Sequence, residues 1–201
     1  LRDIYRTIAK RSEGTYSELR SKFLAFALPV RSAEEALALV AGFQKEYFDA
    51  RHVCWAYRLG AEGEEYRSND NGEPSGTAGK PILGQIVSAE LSDVLVVVVR
   101  YFGGVKLGTS GLIVAYRTAA AEALAAAEVI ERTVDEQFTM GFSYEQMNTV
   151  MRVIKEYSPT IVSQEYEGNE VRMTLSLRQS LVAPFKEKFN INGRTVVRFD
   201  L

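Results

Sequence analysis

The residues best equipped for chemistry lie between positions 100 and 111, Arg100-Tyr101-Phe102-Gly103-Gly104-Val105-Lys106-Leu107-Gly108-Thr109-Ser110-Gly111. A cation (Lys106), two hydroxyls (Thr109, Ser110) and glycines whose amides no side chain shields suit an anion such as a phosphate. Tyr101 and Phe102 either stack on a base or fill the core. The glycine spacing does not match the dinucleotide fingerprint G-x-G-x-x-G. A second stretch, Glu73-Pro74-Ser75-Gly76-Thr77-Ala78-Gly79-Lys80-Pro81, offers Ser75, Thr77 and Lys80, but Pro81 stands where a phosphate-cradling G-x-x-x-x-G-K-[ST] loop needs a hydroxyl residue. Its alternative is a tight turn into a helix, capped by Ser75 or Thr77.

Acid–base or magnesium chemistry would draw on Asp70 and Glu73, with His52 nearby in sequence. Against that, Asn69-Asp70-Asn71-Gly72 reads as a turn that already uses the Asp70 side chain on backbone. His52 and Cys54 face one side of a strand, yet two ligands do not make a zinc site and the chain has no other histidine. A buried structural thiol is the better reading of Cys54.

The elements that must position these groups follow from periodicity. Residues 94–99 (VLVVVV) form an unbroken apolar run, expected of a strand covered on both faces. Residues 112–127 are strong helix formers, with Thr109 and Ser110 placed to cap them. Upstream, strands are predicted at 5–9, 22–30, 52–59 and 65–68. A helix follows Ser32 over 33–48, buried through Leu37, Val40, Ala41 and Phe43 or Gln44, and another spans 77–87. Near residues 131–136 the composition turns charged and the pattern starts afresh, which predicts domains at 1–131 and 132–201. The second reads strand 137–142, helix 144–157, strand 160–167, turn at Gly168-Asn169, strand 170–177, helix 180–189, strand 195–199. That is the βαββαβ, ferredoxin-like order.

Composition narrows the class. Apolar residues make up 46% and charged residues 25%, and no run is long enough to span a membrane. The net charge of −2 divides evenly between the halves, so no half is a strongly basic nucleic-acid binder and any anion site must be local. One cysteine excludes an internal disulfide, and no secretory leader pattern is seen; the expected location is cytoplasmic, with no cofactor.

Ser21-Lys22-Phe23, then Asp49-Ala50-Arg51-His52 with Cys54, then residues 69–79 and 100–108, closely resemble the YigZ/IMPACT family, in order over most of residues 20–125. The second half is similar to the small C-terminal domain of the bacterial YigZ-type members. The resemblance implies an α+β protein: a ribosomal protein S5 domain 2-like domain, related to domain IV of elongation factor G, followed by a domain like that factor's domain V. It implies a setting near RNA or the ribosome, and eukaryotic relatives regulate translation. Asn71 stands where the family usually has Asp and Ser110 where it usually has Gly, which weakens a carboxylate mechanism and keeps a hydroxyl for an anion.

The expected function is therefore binding of RNA or a ribosome-associated, translation-related protein partner, without a membrane. The face is built from Glu73, Ser75, Thr77 and Lys80 on one loop and Arg100, Tyr101, Gly103, Gly104, Lys106, Gly108, Thr109 and Ser110 on the other. Lys80, Arg100 and Lys106 would neutralise phosphates. One alternative is a hydrolase or other enzyme using His52, Asp70 and Glu73 on a small phosphorylated or peptide substrate. The other is a protein-interaction module whose glycines only shape the fold.

Overall fold

The computed structural model describes residues 3–200, which divide into two compact units, 3–132 and 133–200. The first is ordered β1 (Ile4–Ile8), β2 (Ser12–Glu18), β3 (Ser21–Pro29), α1 (Ala33–Glu46), β4 (His52–Leu59), β5 (Glu65–Asn69), α2 (Gly79–Ser88), β6 (Val94–Tyr101), α3 (Gly108–Ala125) and β7 (Val129–Thr133). Five of its strands form one sheet in the order β2-β3-β6-β4-β5, and β1 pairs with β7 apart from it.

The apolar run explains the layering. Val94 to Val99 on β6 are each fully buried, because β6 is the central strand and both its faces are covered. Alternate residues point opposite ways along a strand. Val94, Val96 and Val98 join Phe23, Ala25, Cys54 and Ala56 against Ile82 and Ile86 of α2 and Leu112, Tyr116 and Ala120 of α3. Leu95, Val97 and Val99 join Phe26, Val53, Trp55 and Tyr57 against Ala36, Val40 and Phe43 of α1. The alanine-rich face of α3 brings it close to β2 and β3, and a Cβ on Gly14 of β2 would lie 2.3 Å from the Ala123 amide nitrogen.

Several local expectations shift. Ser32 does cap α1, accepting from the Glu35 amide at 3.1 Å, but the buried face runs through Ala36, Val40 and Phe43, leaving Leu37 and Ala41 outward. Strand β2 escapes a hydrophobic reading because SEGTYSE is mostly polar; it is an edge strand, held by the β3 ladder. Helix α2 starts at Gly79 and α3 at Gly108, and no side chain on the adjacent Ser or Thr residues caps either.

The second unit contains β8 (Asp135–Ser143), a 3₁₀ turn at Tyr144–Gln146, α4 (Met147–Tyr157), β9 (Thr160–Glu167), β10 (Glu170–Arg178), α5 (Gln179–Glu187), a short hairpin of β11 (Asn190–Ile191) and β12 (Arg194–Thr195), and β13 (Arg198–Asp200). Its sheet runs β13-β8-β10-β9, all antiparallel. Phe138, Met140, Phe142, Val171, Met173 and Leu175 meet Val150, Ile154, Val182 and Phe185 from the two helices, while the other face is polar, with Thr139 and Thr174 hydrogen-bonded across it. The last strand, expected as one piece over 195–199, breaks into β12 and β13. Val197 turns into the core and the Val196 amide bonds the Phe189 carbonyl, which takes those residues out of the ladder.

Candidate functional site

The turn after β5 places a carboxylate under α3. Asn71 and Gly72 both take positive φ, 43° and 86°, and a Cβ on Gly72 would crowd the His52 ring at 3.3 Å. The sharp reversal sends Glu73 inward, where its side chain is only 3% exposed. Nη1 of Arg100 donates to both its oxygens at 2.8 Å, the Tyr116 hydroxyl donates to Oε2 at 2.7 Å, and Nε2 of His52 lies 3.0 Å from Oε1. Nδ1 of His52 lies 2.7 Å from the Asn71 carbonyl, so both ring nitrogens face acceptors. Arg100 in turn lies over the rings of Phe23 and Phe102. A buried charge has to be paired and hydrogen-bonded, and Glu73 is, by three partners.

Asp70 caps α2 from a distance. Its Oδ1 accepts from the amides of Ala78 (3.1 Å) and Gly79 (2.8 Å), and Oδ2 from Gly76 (2.9 Å). Burial pushes its pKa up, but the three amides and Lys80 outweigh that and the net shift is downward. This corrects the expectation that Ser75 or Thr77 caps the helix: Thr77 is buried with its hydroxyl on the Pro74 carbonyl at 2.6 Å, and Ser75 is exposed. Asp70→Ala is expected to lower stability by about 2 kcal/mol. Because the folded-state pKa is depressed, this stabilisation is present above the ordinary value of 3.8 and is lost as pH falls through the lower folded one. Melting temperatures of parent and variant should therefore converge in acid below that value and separate above it.

The glycines after β6 divide their work. Gly103 packs on the β2–β3 turn: a Cβ there would lie 2.1 Å from the Arg20 carbonyl carbon, and its amide donates to the Ser21 hydroxyl at 3.1 Å. That glycine serves the fold, not a ligand. The loop then turns into α3, whose first turn has neither a capping side chain nor an acidic residue. This uncapped end opens on a cleft of about 330 Å³, lined by Arg51, His52, Glu73, Pro74, Arg100, Phe102, Lys106, Leu107, Gly108, Thr109 and Leu112.

The two loops singled out in the sequence thus meet at one cleft, though not through all the expected residues. Glu73, Arg100, Lys106, Gly108 and Thr109 line it, as does His52. Ser75, Thr77, Lys80, Tyr101, Gly103, Gly104, Ser110 and Asp70 do not. Arg100, expected to neutralise phosphate, is 5% exposed and turned onto Glu73. Tyr101 packs on the α1 side of the sheet with its hydroxyl on Asp49 at 3.0 Å, and its neighbour Phe102 faces the cleft. Leu112 and Tyr116 were missed, their only signal being spatial convergence, and Arg51 stood in the Asp49–His52 family motif without being read as a site residue. A larger hollow of about 580 Å³ has Tyr5, Arg6, Arg58 and Glu90 in its wall, and Arg58 there donates to the Leu91 carbonyl at 2.9 Å.

The segments that build this cleft match a family model described as the Impact N-terminal domain over residues 19–124. The chain belongs to the IMPACT family. It is 32% identical over 186 residues to an IMPACT family member of Haemophilus influenzae, covering 89% of this chain and 88% of that one. It is likewise 32% identical to the IMPACT family member YigZ of Escherichia coli over 171 residues, 84% of this chain and 83% of YigZ. A solved structure titled as that of a hypothetical protein superposes with a TM-score of 0.74 at 29% identity, covering 99% of this chain and 97% of the other.

Two titratable groups near this IMPACT-family cleft are shifted by burial. Burial pushes the Cys54 thiol up to about 12, so it is protonated and a poor nucleophile, and the thiol donates to the Asp70 carbonyl at 3.0 Å. Burial also raises the Tyr116 phenol, which stays a donor to Glu73. Among the described residues no three His, Cys, Asp or Glu side chains converge as a metal site.

Proposed function

We propose that this IMPACT-family chain is a cytoplasmic RNA-binding protein that acts in translation, and that the cleft at the N-terminus of α3 is its contact surface. The observation that carries this reading is the charge of the cleft. Arg100 and Glu73 neutralise each other in its wall, Arg51 and Lys106 add two further cations, and the uncapped N-terminus of α3 lines the same space at Gly108 and Thr109. That is a local positive surface on a chain of net charge −2. Phosphates are held by such cations and amides.

The folds we assign to the two units fit this reading. We take the 3–132 unit as ribosomal protein S5 domain 2-like, related to domain IV of elongation factor G. We take the 133–200 unit, whose four βαββαβ strands lie in the order fourth, first, third, second, as ferredoxin-like and similar to that factor's domain V. Both kinships, as we assign them, point toward the ribosome or RNA. A hydrolytic role for His52, Asp70 and Glu73 is less well supported, since each of the three is committed to a structural partner.

The test is the salt dependence of RNA binding. Fluorescence anisotropy with a labelled single-stranded RNA should give tighter binding at low salt, and Lys106→Ala should weaken it and reduce the slope of log K against log salt by about 0.7. Superimposable curves for parent and variant across salt would sink the assignment of the cleft. No RNA binding at physiological salt, with a nuclease-insensitive protein captured instead, would favour the interaction-module reading.

A further inference from the structure

The cleft is lined by both apolar and polar groups. Pro74, Phe102, Leu107 and Leu112 supply the apolar part of the lining. Phe102 is 41% exposed, and the guanidiniums of Arg51 and Arg100 lie 5.5 and 5.6 Å from its ring centroid. A ring held by two cations with part of its surface open is a stacking platform for a nucleobase. Lys106 and the uncapped first turn of α3 at Gly108 and Thr109 also line it and suit one phosphate.

Arg100 forms part of the cleft wall beside Phe102. Both of its contacts to Glu73 use Nη1, and its Nε is buried in the cleft wall with no hydrogen-bond partner. A volume of about 330 Å³ is at the small end for ligand sites and takes one compact molecule rather than a length of strand.

We infer that this cleft is a site for a single nucleotide unit, its base stacked on Phe102 and its phosphate held by Lys106 and the first-turn amides of α3. The inference rests on the RNA-binding reading of the cleft and deepens it: one nucleotide is splayed out of the chain and carries the recognition, while the rest of the strand passes outside. The same chemistry would also take a free mononucleotide.

Calorimetric titration of the full chain separates these cases, using a nucleoside monophosphate, the matching nucleoside, inorganic phosphate and a single-stranded RNA decamer. The monophosphate is expected to bind at least about tenfold more tightly than either the nucleoside or phosphate. Phe102→Ala should erase its advantage over phosphate, Phe102→Trp should keep or enlarge it, and Lys106→Ala should erase its advantage over the nucleoside. Both positions are exposed, so unchanged melting temperatures should confirm that the variants fold. A monophosphate no tighter than phosphate, or one indifferent to Phe102→Ala, overturns the nucleotide site; if RNA still binds, the RNA function stands without it. Nucleotide binding without RNA binding supports the site and assigns it to free nucleotides, and the RNA function then falls.

Discussion

Glu73→Ala is expected to lower the unfolding free energy by about 3–5 kcal/mol, read as a shift in the urea midpoint at constant slope. The substitution removes the acceptor on which the Arg100 guanidinium, the Tyr116 hydroxyl and the His52 ring converge. Arg100 is 5% exposed and lies between aromatic rings, so its charge would stay in the interior with no counter-ion. Water cannot readily reach it, and truncating one partner of a buried pair costs far more than the pair contributes. The paired replacement Glu73→Leu with Arg100→Met should recover much of the loss, since apolar residues of similar volume often match or exceed a buried ion pair. That double variant should nevertheless bind RNA poorly, because the cleft would lose Arg100 and the anchor of His52. A double variant that binds like the parent would mean the network serves stability alone.

Phe23→Ala should cost about 3–5 kcal/mol. Phe23 is fully buried, meets Tyr116 edge-on with ring centroids 5.2 Å apart, and lies 5.7 Å beneath the Arg100 guanidinium. Truncation leaves a cavity where β3, α3 and the floor of the cleft join, and Tyr116 and Arg100 lose the surface that holds them against Glu73. The loss should therefore couple to that of Glu73→Ala: the double substitution should cost less than the sum of the two single ones. Strict additivity in thermal unfolding would mean that the ring supports the core but not the network.

Much of this was legible in the chain because it depends on local pattern. The VLVVVV run announced a doubly covered strand, and β6 is one, because an all-apolar strand cannot put either face in water. Asn69-Asp70-Asn71-Gly72 announced a turn, and the positive φ of Asn71 and Gly72 is what those residue types tolerate. Ser32 announced a cap and is one. The cap of α2 was not legible, because Asp70 reaches across nine positions to Gly79, and no local rule ranks that contact above a Ser or Thr close by. Edge strand β2 was not legible either, since its partner β3 decides its state, not its own polar residues.

The same division runs through the site. The sequence by itself determined the chemical inventory: Lys106, Thr109, a glycine-rich entry to α3, the turn that carries Glu73, and family membership through motifs spread over residues 20–125. Only the tertiary structure decided which cations remain available. Glu73 and Arg100 are 27 positions apart, and whether they face solvent or each other depends on how β6 and the β5–α2 loop pack. Once buried they must pair, because an unpaired charge in the interior is too costly to keep. That pairing turns Arg100 from a presumed phosphate ligand into the floor of the cleft and leaves Lys106, Arg51 and the amides of α3 at its mouth.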